Sequence, residues 1–277
     1  MTAAIRPDPP PDGQPGDRHP REERAFRPVG RVTGDRPQLF CLPYAGGSAN
    51  GYDGWLPLLS RTLDVWAAEL PGRGTRFHLP PAGDVGELTG QLLDEIEPML
   101  ADQVVLFGHS MGATLALELA LRLQARGAPL SCLVVSGQPA PGWPRDNRLH
   151  LLDDARLTVA MKAMGGTPPE VFDSAELLEL MLPILRADLR MVENHRFTPG
   201  ATVRCPLVAY GSVDDPDATA PAIAGWADLT EGAFESRMFP GDHFYFQQHP
   251  EAIAVDLTRR LLRHLSTPDG AILGGTQ

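Results

Sequence analysis

The fold is decided by Val104-Val105-Leu106-Phe107-Gly108-His109-Ser110-Met111-Gly112-Ala113-Thr114-Leu115-Ala116-Leu117-Glu118-Leu119-Ala120. Its first four residues are an apolar run of the kind that forms a buried strand, and from Ala113 onward the pattern turns helical. Between the two lies Gly-x-Ser-x-Gly. A strand, this motif and a helix together make a sharp turn that leaves the serine hydroxyl exposed at the end of a sheet. Gly108 and Gly112 leave room where a Cβ would crowd the neighbouring strand or helix. The helix behind Ser110 aims backbone N–H groups at any negative charge that develops there. Gly-x-Ser-x-Gly also arises by chance in structural turns, but the strand before and the helix after set this instance apart. Ser110 is the candidate nucleophile.

Outward from this stretch, strand and helix patterns alternate, which predicts an α/β fold with a mostly parallel sheet. Strands are expected near Gln38–Leu42, Asp64–Leu70, Leu130–Ser136, Cys205–Tyr210 and Phe234–Phe239. Helices are expected around Tyr52–Ser60, from the capping box Asp84-Val85-Gly86-Glu87 to about Leu100 with Pro98 ending or kinking it, near Ala220–Leu229, and near Glu251–Leu265. The nucleophile helix should close at Gly127. From about 144 to 198 the alternation breaks into helices alone: Asp153–Met164, Ser174–Leu185 and Ala187–His195. Such an insertion is either a lid over the site or a plain cover for one sheet face. Residues 1–36, rich in Pro, Gly, Arg and Asp, read as a disordered tail. The main domain then spans 37–266, and 267–277 reads as a flexible end.

The 277 residues suffice for one large core, and 43% hydrophobic content is that of a globular chain. The net charge of -11 disfavours nucleic acid and anionic membranes as partners. The first residues lack the apolar stretch of a secretory signal, and no apolar run reaches the length of a membrane span. Cys41, Cys132 and Cys205 sit in or beside apolar segments, as core thiols do in a reducing cytoplasm. No Cys/His cluster has metal-ligand spacing, and the glycines do not make a phosphate or dinucleotide loop, so no cofactor or metal is expected.

A serine hydroxyl needs a base, and the base needs an orienting acid. In this kind of fold the chain order is Ser, then Asp or Glu, then His. His243, in the glycine-bearing loop after the last strand, is the best-placed late histidine. Imidazole is the side chain whose ordinary pKa suits a base at neutral pH. His109, beside the nucleophile, should pack at the elbow; His195 lies in the helical insertion; His249 and His264 flank the last helix. For the acid, Asp215 is favoured because Pro216 stiffens the chain after it; Asp214 is the fallback, and either residue also fits a simple turn. The oxyanion donors expected are the backbone N–H groups of Met111 and of Ala45, the latter in the loop Pro43-Tyr44-Ala45-Gly46-Gly47.

Taken in order, several segments resemble one family. They are Phe40-Cys41-Leu42-Pro43-Tyr44-Ala45-Gly46-Gly47-Ser48, Trp55, Leu70-Pro71-Gly72-Arg73-Gly74, the Gly108–Ala113 elbow, Gly165–Glu170, Leu182–Asp188 and Gly241-Asp242-His243-Phe244. The set is similar to type II thioesterases, the free-standing α/β-hydrolases that accompany modular polyketide synthases and nonribosomal peptide synthetases. The resemblance covers about residues 37–265; the long Pro-rich start and the Asp214-Asp215 pair depart from it. It implies an editing activity that removes stalled or wrong acyl groups from the phosphopantetheine arm of acyl or peptidyl carrier proteins. Such carriers are usually acidic, so a local basic patch near the lid, drawn from Arg73, Arg76 or Arg186, is expected to receive them; the plainer reading of each is a solvated surface residue. Met161, Met164, Phe172 and Met181, among the apolar residues of the insertion, either line an acyl channel or pack the lid. Two rival functions share these residues: a carboxylesterase or lipase acting on oxygen esters, and a binding module that keeps the fold without catalysis.

Overall fold

The structure, a computed structural model, describes residues 24–144 and 148–265. Seven strands and nine α-helices follow one another along these residues. In chain order they are β1 (Phe26–Val29), β2 (Gln38–Leu42), α1 (Leu56–Leu59), β3 (Asp64–Ala68), α2 (Val85–Ile96), β4 (Val104–His109), α3 (Met111–Ala125), β5 (Cys132–Ser136), α4 (Asp154–Met164), α5 (Pro169–Phe172), α6 (Ala175–Asn194), β6 (Leu207–Ser212), α7 (Ala220–Ala224), β7 (Phe234–Phe239), α8 (Tyr245–Gln248) and α9 (Pro250–His264). The strands form one sheet in the order β1-β3-β2-β4-β5-β6-β7, parallel except for β1.

The central strands are apolar at every position because both sheet faces are covered. Alternation is still visible in where the side chains go. Phe40, Leu42, Val104, Leu106, Leu133 and Val135 join the core under α2 and α3. Their neighbours Leu39, Cys41, Val105, Phe107, Cys132 and Val134 join the core under α1 and α9. This is the period of two imposed by the pleat. The three cysteines are buried free thiols, and burial pushes Cys205 up to about 11, which leaves it no nucleophilic role at neutral pH.

The predicted order of strands and helices holds, with three corrections. Residues 24–36 are not a tail: Phe26–Val29 pair antiparallel with β3 at the sheet edge. Phe26 is buried and meets Phe40 edge to face at 5.3 Å. Arg27 and Pro28 hide this strand in the sequence, yet Pro is tolerated on an edge, where no ladder bond is lost on the open side. The rest of the expected tail, residues 1–23, and the expected flexible end lie outside the described residues. The second correction concerns the insertion. Ser174–Leu185 and Ala187–His195 are one continuous helix, α6, with Pro183 inside it. Pro183 and Glu179, whose carbonyl the proline leaves unbonded, both lie on the exposed side, open to solvent. The buried stripe Leu182, Leu185, Asp188 and Leu189 runs uninterrupted through it. Third, the helix around Tyr52–Ser60 shrinks to a 3-10 turn, Ala49–Tyr52, followed by the single-turn α1.

Topology places the site. The chain leaves β2 toward β3 on one side and then crosses to β4 on the other, so the loops after β2 and β4 diverge at the sheet's carboxyl end. A crevice opens at such a switch point. The helices between β5 and β6 stand over it, with Leu157, Met161, Leu182, Leu185 and Leu189 forming their own apolar cluster.

Candidate active site

Ser110 sits between the last residue of β4 and the first of α3. Its backbone has φ 54° and ψ −121°, the one positive φ at a non-glycine among the described residues. Holding such a conformation costs about 1–3 kcal/mol and persists only where the surroundings enforce it. Here Ser110 N–H donates to Ser136 O at 2.8 Å, and Ser110 O accepts from Ala113 N–H at 2.9 Å. The turn also demands that Gly108 and Gly112 lack side chains. A Cβ on Gly108 would lie 1.9 Å from Gly112 O, and one on Gly112 would lie 2.1 Å from Leu42 O. Both neighbours are backbone and cannot swing aside.

His243 follows β7 in the loop opened by Pro240 and Gly241, and Asp215 follows β6. His243 Nδ1 and Asp215 Oδ2 are 2.6 Å apart. The other oxygen, Oδ1, accepts the N–H groups of Asp217 at 3.0 Å and Ala218 at 3.1 Å. Burial pushes the Asp215 carboxyl up, but the His243 hydrogen bond and charge, with the two N–H groups, outweigh it and hold the carboxyl below its ordinary value. Asp215 is thus a buried, fully ligated carboxylate facing His243. Asp214 is exposed, and it is its backbone N–H that bonds, to Gly241 O at 3.2 Å. That bond, with Ser212 Oγ donating to Asp242 O at 2.7 Å, ties the acid-bearing loop to the histidine-bearing loop.

Ser110, Met111, His243 and Ala45 share the wall of one cavity of about 320 Å³. The structure therefore brings together the candidate nucleophile, the candidate base with its candidate acid, and the two residues expected to donate to an oxyanion. A second chamber of about 200 Å³ adjoins it, sharing Ala45 and Met164 and lined further by Met161, Met181, Leu185 and Phe244. Three of the four expected lid residues thus face this chamber. Phe172 does not: it packs into the lid cluster, with Lys162 Nζ 5.0 Å from its ring centre, and Val171 lines the chamber in its place.

The expected docking arginines are also corrected. Arg73 is buried and bonded to Asp188 and Gly47. Arg76 is buried, bonded to Glu69 O and paired with Glu95. Arg186 holds the lid together through His150 O, Leu152 O and Asp154. All three are engaged by partners within the chain, Arg73 and Arg76 in the interior and Arg186 at the surface of the lid, and none is left as an unpaired cation. Only their long-range partners reveal this.

Two features of the site escaped the sequence. His109 packs at the elbow as expected, but it is also the first member of a buried chain: its Nδ1 lies 2.9 Å from Ser136 Oγ, which lies 2.5 Å from Tyr245 Oη. Its ring centre is 4.8 Å from that of His243, so it forms the floor on which His243 rests. Burial, then the neighbouring His243 charge, push His109 well below the usual imidazole value, so it stays neutral. Gln138, directly after the β5 turn, is the second: it lines the cavity, donates to Thr114 Oγ1 at 3.3 Å, and its carbonyl accepts the Trp226 indole N–H at 2.7 Å.

Comparison with known proteins agrees with this geometry. The thioesterase domain family profile matches residues 37–261. The chain is 35% identical over 227 residues to a probable cadicidin biosynthesis thioesterase of Streptomyces griseus, an alignment that covers 82% of this chain and 63% of that relative. Among solved structures, the type II thioesterase BorB from the borrelidin biosynthetic cluster superposes with a TM-score of 0.78 at 39% identity, over 85% of this chain and 97% of BorB. YbtT, a type II thioesterase from the yersiniabactin NRPS/PKS biosynthetic pathway, superposes with a TM-score of 0.77 at 27% identity, over 85% and 97%. A strained serine at the switch point of a parallel sheet, a histidine held by a buried aspartate and a profile match across the whole domain converge: the chain belongs to the thioesterase domain family, an α/β-hydrolase fold with a helical lid.

Proposed function

We infer that this chain is an editing thioesterase that clears acyl groups from the phosphopantetheine arm of carrier proteins in polyketide or nonribosomal peptide assembly. The reading is carried by one observation: Ser110, strained and exposed to the cavity, shares that cavity with His243, which Asp215 grips at 2.6 Å. The similarity to biosynthetic type II thioesterases supplies the substrate class.

The mechanism follows from the residues. His243, its Nδ1–H held by Asp215, presents a free Nε2 lone pair to the cavity. It takes the proton of Ser110 as Oγ attacks the thioester carbonyl carbon. The carbonyl oxygen becomes an oxyanion, received by the N–H groups of Met111, at the start of α3, and of Ala45. Collapse of the tetrahedral intermediate breaks the C–S bond; the thiol leaves with the proton returned by His243. Water, deprotonated by His243, then attacks the acyl-serine, and Ser110 is released with the free acid. Sulfur leaves more easily than an amide nitrogen, so the return of the proton by His243 is less demanding here than in an amidase. The Met-lined chamber beside the nucleophile accepts the acyl chain, and Met side chains adapt to varied shapes, which suits an enzyme that removes many different groups.

A carrier protein loaded with acetyl, propionyl or butyryl groups, followed by intact mass, tests this. Wild type should return the free thiol and Ser110→Ala should not. A strong preference for matched oxygen esters would favour an esterase instead, and undiminished cellular effect of Ser110→Ala would favour a binding role.

A further inference from the structure

The lid meets the loop after β2 through a buried ion pair. Leu185 and Asp188 are three residues apart on α6 and project from one face. Leu185 packs on Gly46, where an added Cβ would lie 3.3 Å from Leu185 Cδ1. Asp188 Oδ2 accepts the Gly46 N–H at 2.8 Å. Arg73, from the turn after β3, donates to both carboxylate oxygens, at 2.6 and 2.8 Å, and to Gly47 O at 3.1 Å. Arg73 is 7% and Asp188 3% exposed.

These contacts bear on the direction of one N–H group. Ala45 N–H and Tyr44 O belong to the same planar peptide and point opposite ways. Gly47 N–H donates to Tyr44 O at 2.9 Å, so the orientation of Gly47 sets that plane. Gly47 is in turn held by Arg73 through its carbonyl, and Gly46 by Asp188 through its amide. Charge matters as well. A carboxylate bonded one residue beyond Ala45 would repel an oxyanion forming there, the more so because Asp188 is itself buried from solvent. The guanidinium gripping that carboxylate from two sides cancels the repulsion.

We propose that Arg73 and Asp188 are positioning residues of the oxyanion hole: Asp188 fixes the Ala45–Gly47 turn, and Arg73 both braces the turn and neutralises Asp188. The pair then serves the transition state and is more than a fastening for the lid. This rests on the reading of Ser110 as nucleophile and Ala45 as an oxyanion donor.

The test is the rate of Ser110 phosphonylation by an alkyl fluorophosphonate. In that step Ser110 Oγ bonds to phosphorus, fluoride leaves, the serine proton passes to His243, and the P=O oxygen occupies the oxyanion hole. Three variants separate the two roles. Arg73→Met leaves the carboxylate unpaired, Arg73→Met/Asp188→Asn removes both charges but keeps an acceptor for Gly46 N–H, and Arg73→Met/Asp188→Leu removes both. The surface change Arg126→Met is the control, since Arg126 pairs with Glu97 in solvent. Arg73→Met should lower the maximal phosphonylation rate by about tenfold or more with the half-saturating probe concentration unchanged. The Asn double variant should recover most of that rate, and the Leu double variant should stay about tenfold below the Asn one. If Arg73→Met does not fold, the two neutral doubles still decide, because neither buries a lone charge. Equal maximal rates in both doubles and wild type, or losses confined to the half-saturating concentration, would overturn the proposal. Thioester cleavage is measured in parallel: wild type that phosphonylates but spares thioesters counts against the substrate reading alone, and the variant series still decides the pair.

Discussion

Replacing Asp215 by Asn should nearly silence the enzyme without unfolding it. The side chain is the same size, and its Oδ1 already accepts two backbone N–H groups, from Asp217 and Ala218. The amide oxygen will keep those bonds, which puts the NH2 group where Oδ2 now sits, 2.6 Å from His243 Nδ1. Two donors cannot face each other, so Nδ1 must give up its proton and accept. The ring proton then resides on Nε2, and the nitrogen facing Ser110 has no lone pair with which to take the serine proton. In a serine–histidine–aspartate site this change costs about 10⁴ in rate, or about 5.5 kcal/mol at 1.36 kcal/mol per tenfold. Release of thiol from a propionyl thioester measures it, with circular dichroism as the check on folding. Asp214→Asn is the paired control, expected to fall within about twofold of wild type because its exposed side chain lies outside the site. The same substitution has a signature in stability. The folded carboxyl of Asp215 lies below its unfolded value of 3.8, so its charge stabilises the fold above that pH, and the contribution is lost as pH falls through the folded value. Asp215→Asn should therefore flatten acid unfolding below about pH 4. Retention of more than about a tenth of the wild-type rate by Asp215→Asn, or an equal loss in Asp214→Asn, would refute the assignment.

Three further outcomes are expected. Gly112→Ala puts a Cβ 2.1 Å from Leu42 O, against a backbone atom of a central strand, and should cost about 3 kcal/mol or more, read as a Tm lower by roughly 6–12 °C. His109 is held neutral in the fold while the unfolded chain protonates near pH 6.5, so stability should fall as pH drops below that value, by up to about 1.36 kcal/mol per pH unit. Urea melts of His109→Gln between pH 7 and pH 5 should show a correspondingly shallower decline, and an unchanged slope would exclude His109 as its source. Met181→Trp narrows the chamber beside the nucleophile and should cut octanoyl over acetyl thioester turnover by about tenfold, as a ratio of kcat/KM values; an unchanged ratio would place the acyl chain elsewhere.

The sequence made the chemistry legible because the chemistry is local. Strand, Gly-x-Ser-x-Gly and helix are contiguous, and the clash of either glycine's Cβ with backbone explains why the motif takes that form. His243 and Asp215 were found by the same means, from short loops directly after strands. Even the choice between two adjacent aspartates leaned on a local cue, Pro216, while the reason visible in the structure is non-local: Asp215 alone turns into the site and finds His243, 28 residues on. Misreadings occurred where a local rule was outvoted. The Pro-, Gly-, Arg- and Asp-rich composition of residues 1–36 reads as a tail, but a sheet edge tolerates Pro28, and Phe26 gains a buried place on Phe40. The insertion reads as two helices divided after Leu185, yet the buried stripe on one side of α6 runs through that point, and through Pro183, without a break.

The arginines teach the sharper lesson. Arg73, Arg76 and Arg186 lie in polar, turn-rich or helical contexts that look solvated, and an acidic partner made them attractive as docking points. Each instead meets a partner remote in sequence: Arg73 reaches Asp188 across 115 residues, Arg186 reaches back 32 to Asp154, and Arg76 pairs with Glu95 on α2. Burying a guanidinium is costly unless a carboxylate and carbonyls receive it, so a buried arginine implies a built receptor. The receptor of Arg73 is assembled only when the turn after β3, the β2 loop and α6 come together, and no window of sequence contains it. The nucleophile can therefore be read from five residues, whereas the shell that orients its oxyanion donors is a property of the folded chain. For the same reason the two should respond differently to change. The motif tolerates no substitution at Ser110 itself, while the Arg73–Asp188 shell can be replaced, provided its charges leave together and Gly46 keeps an acceptor.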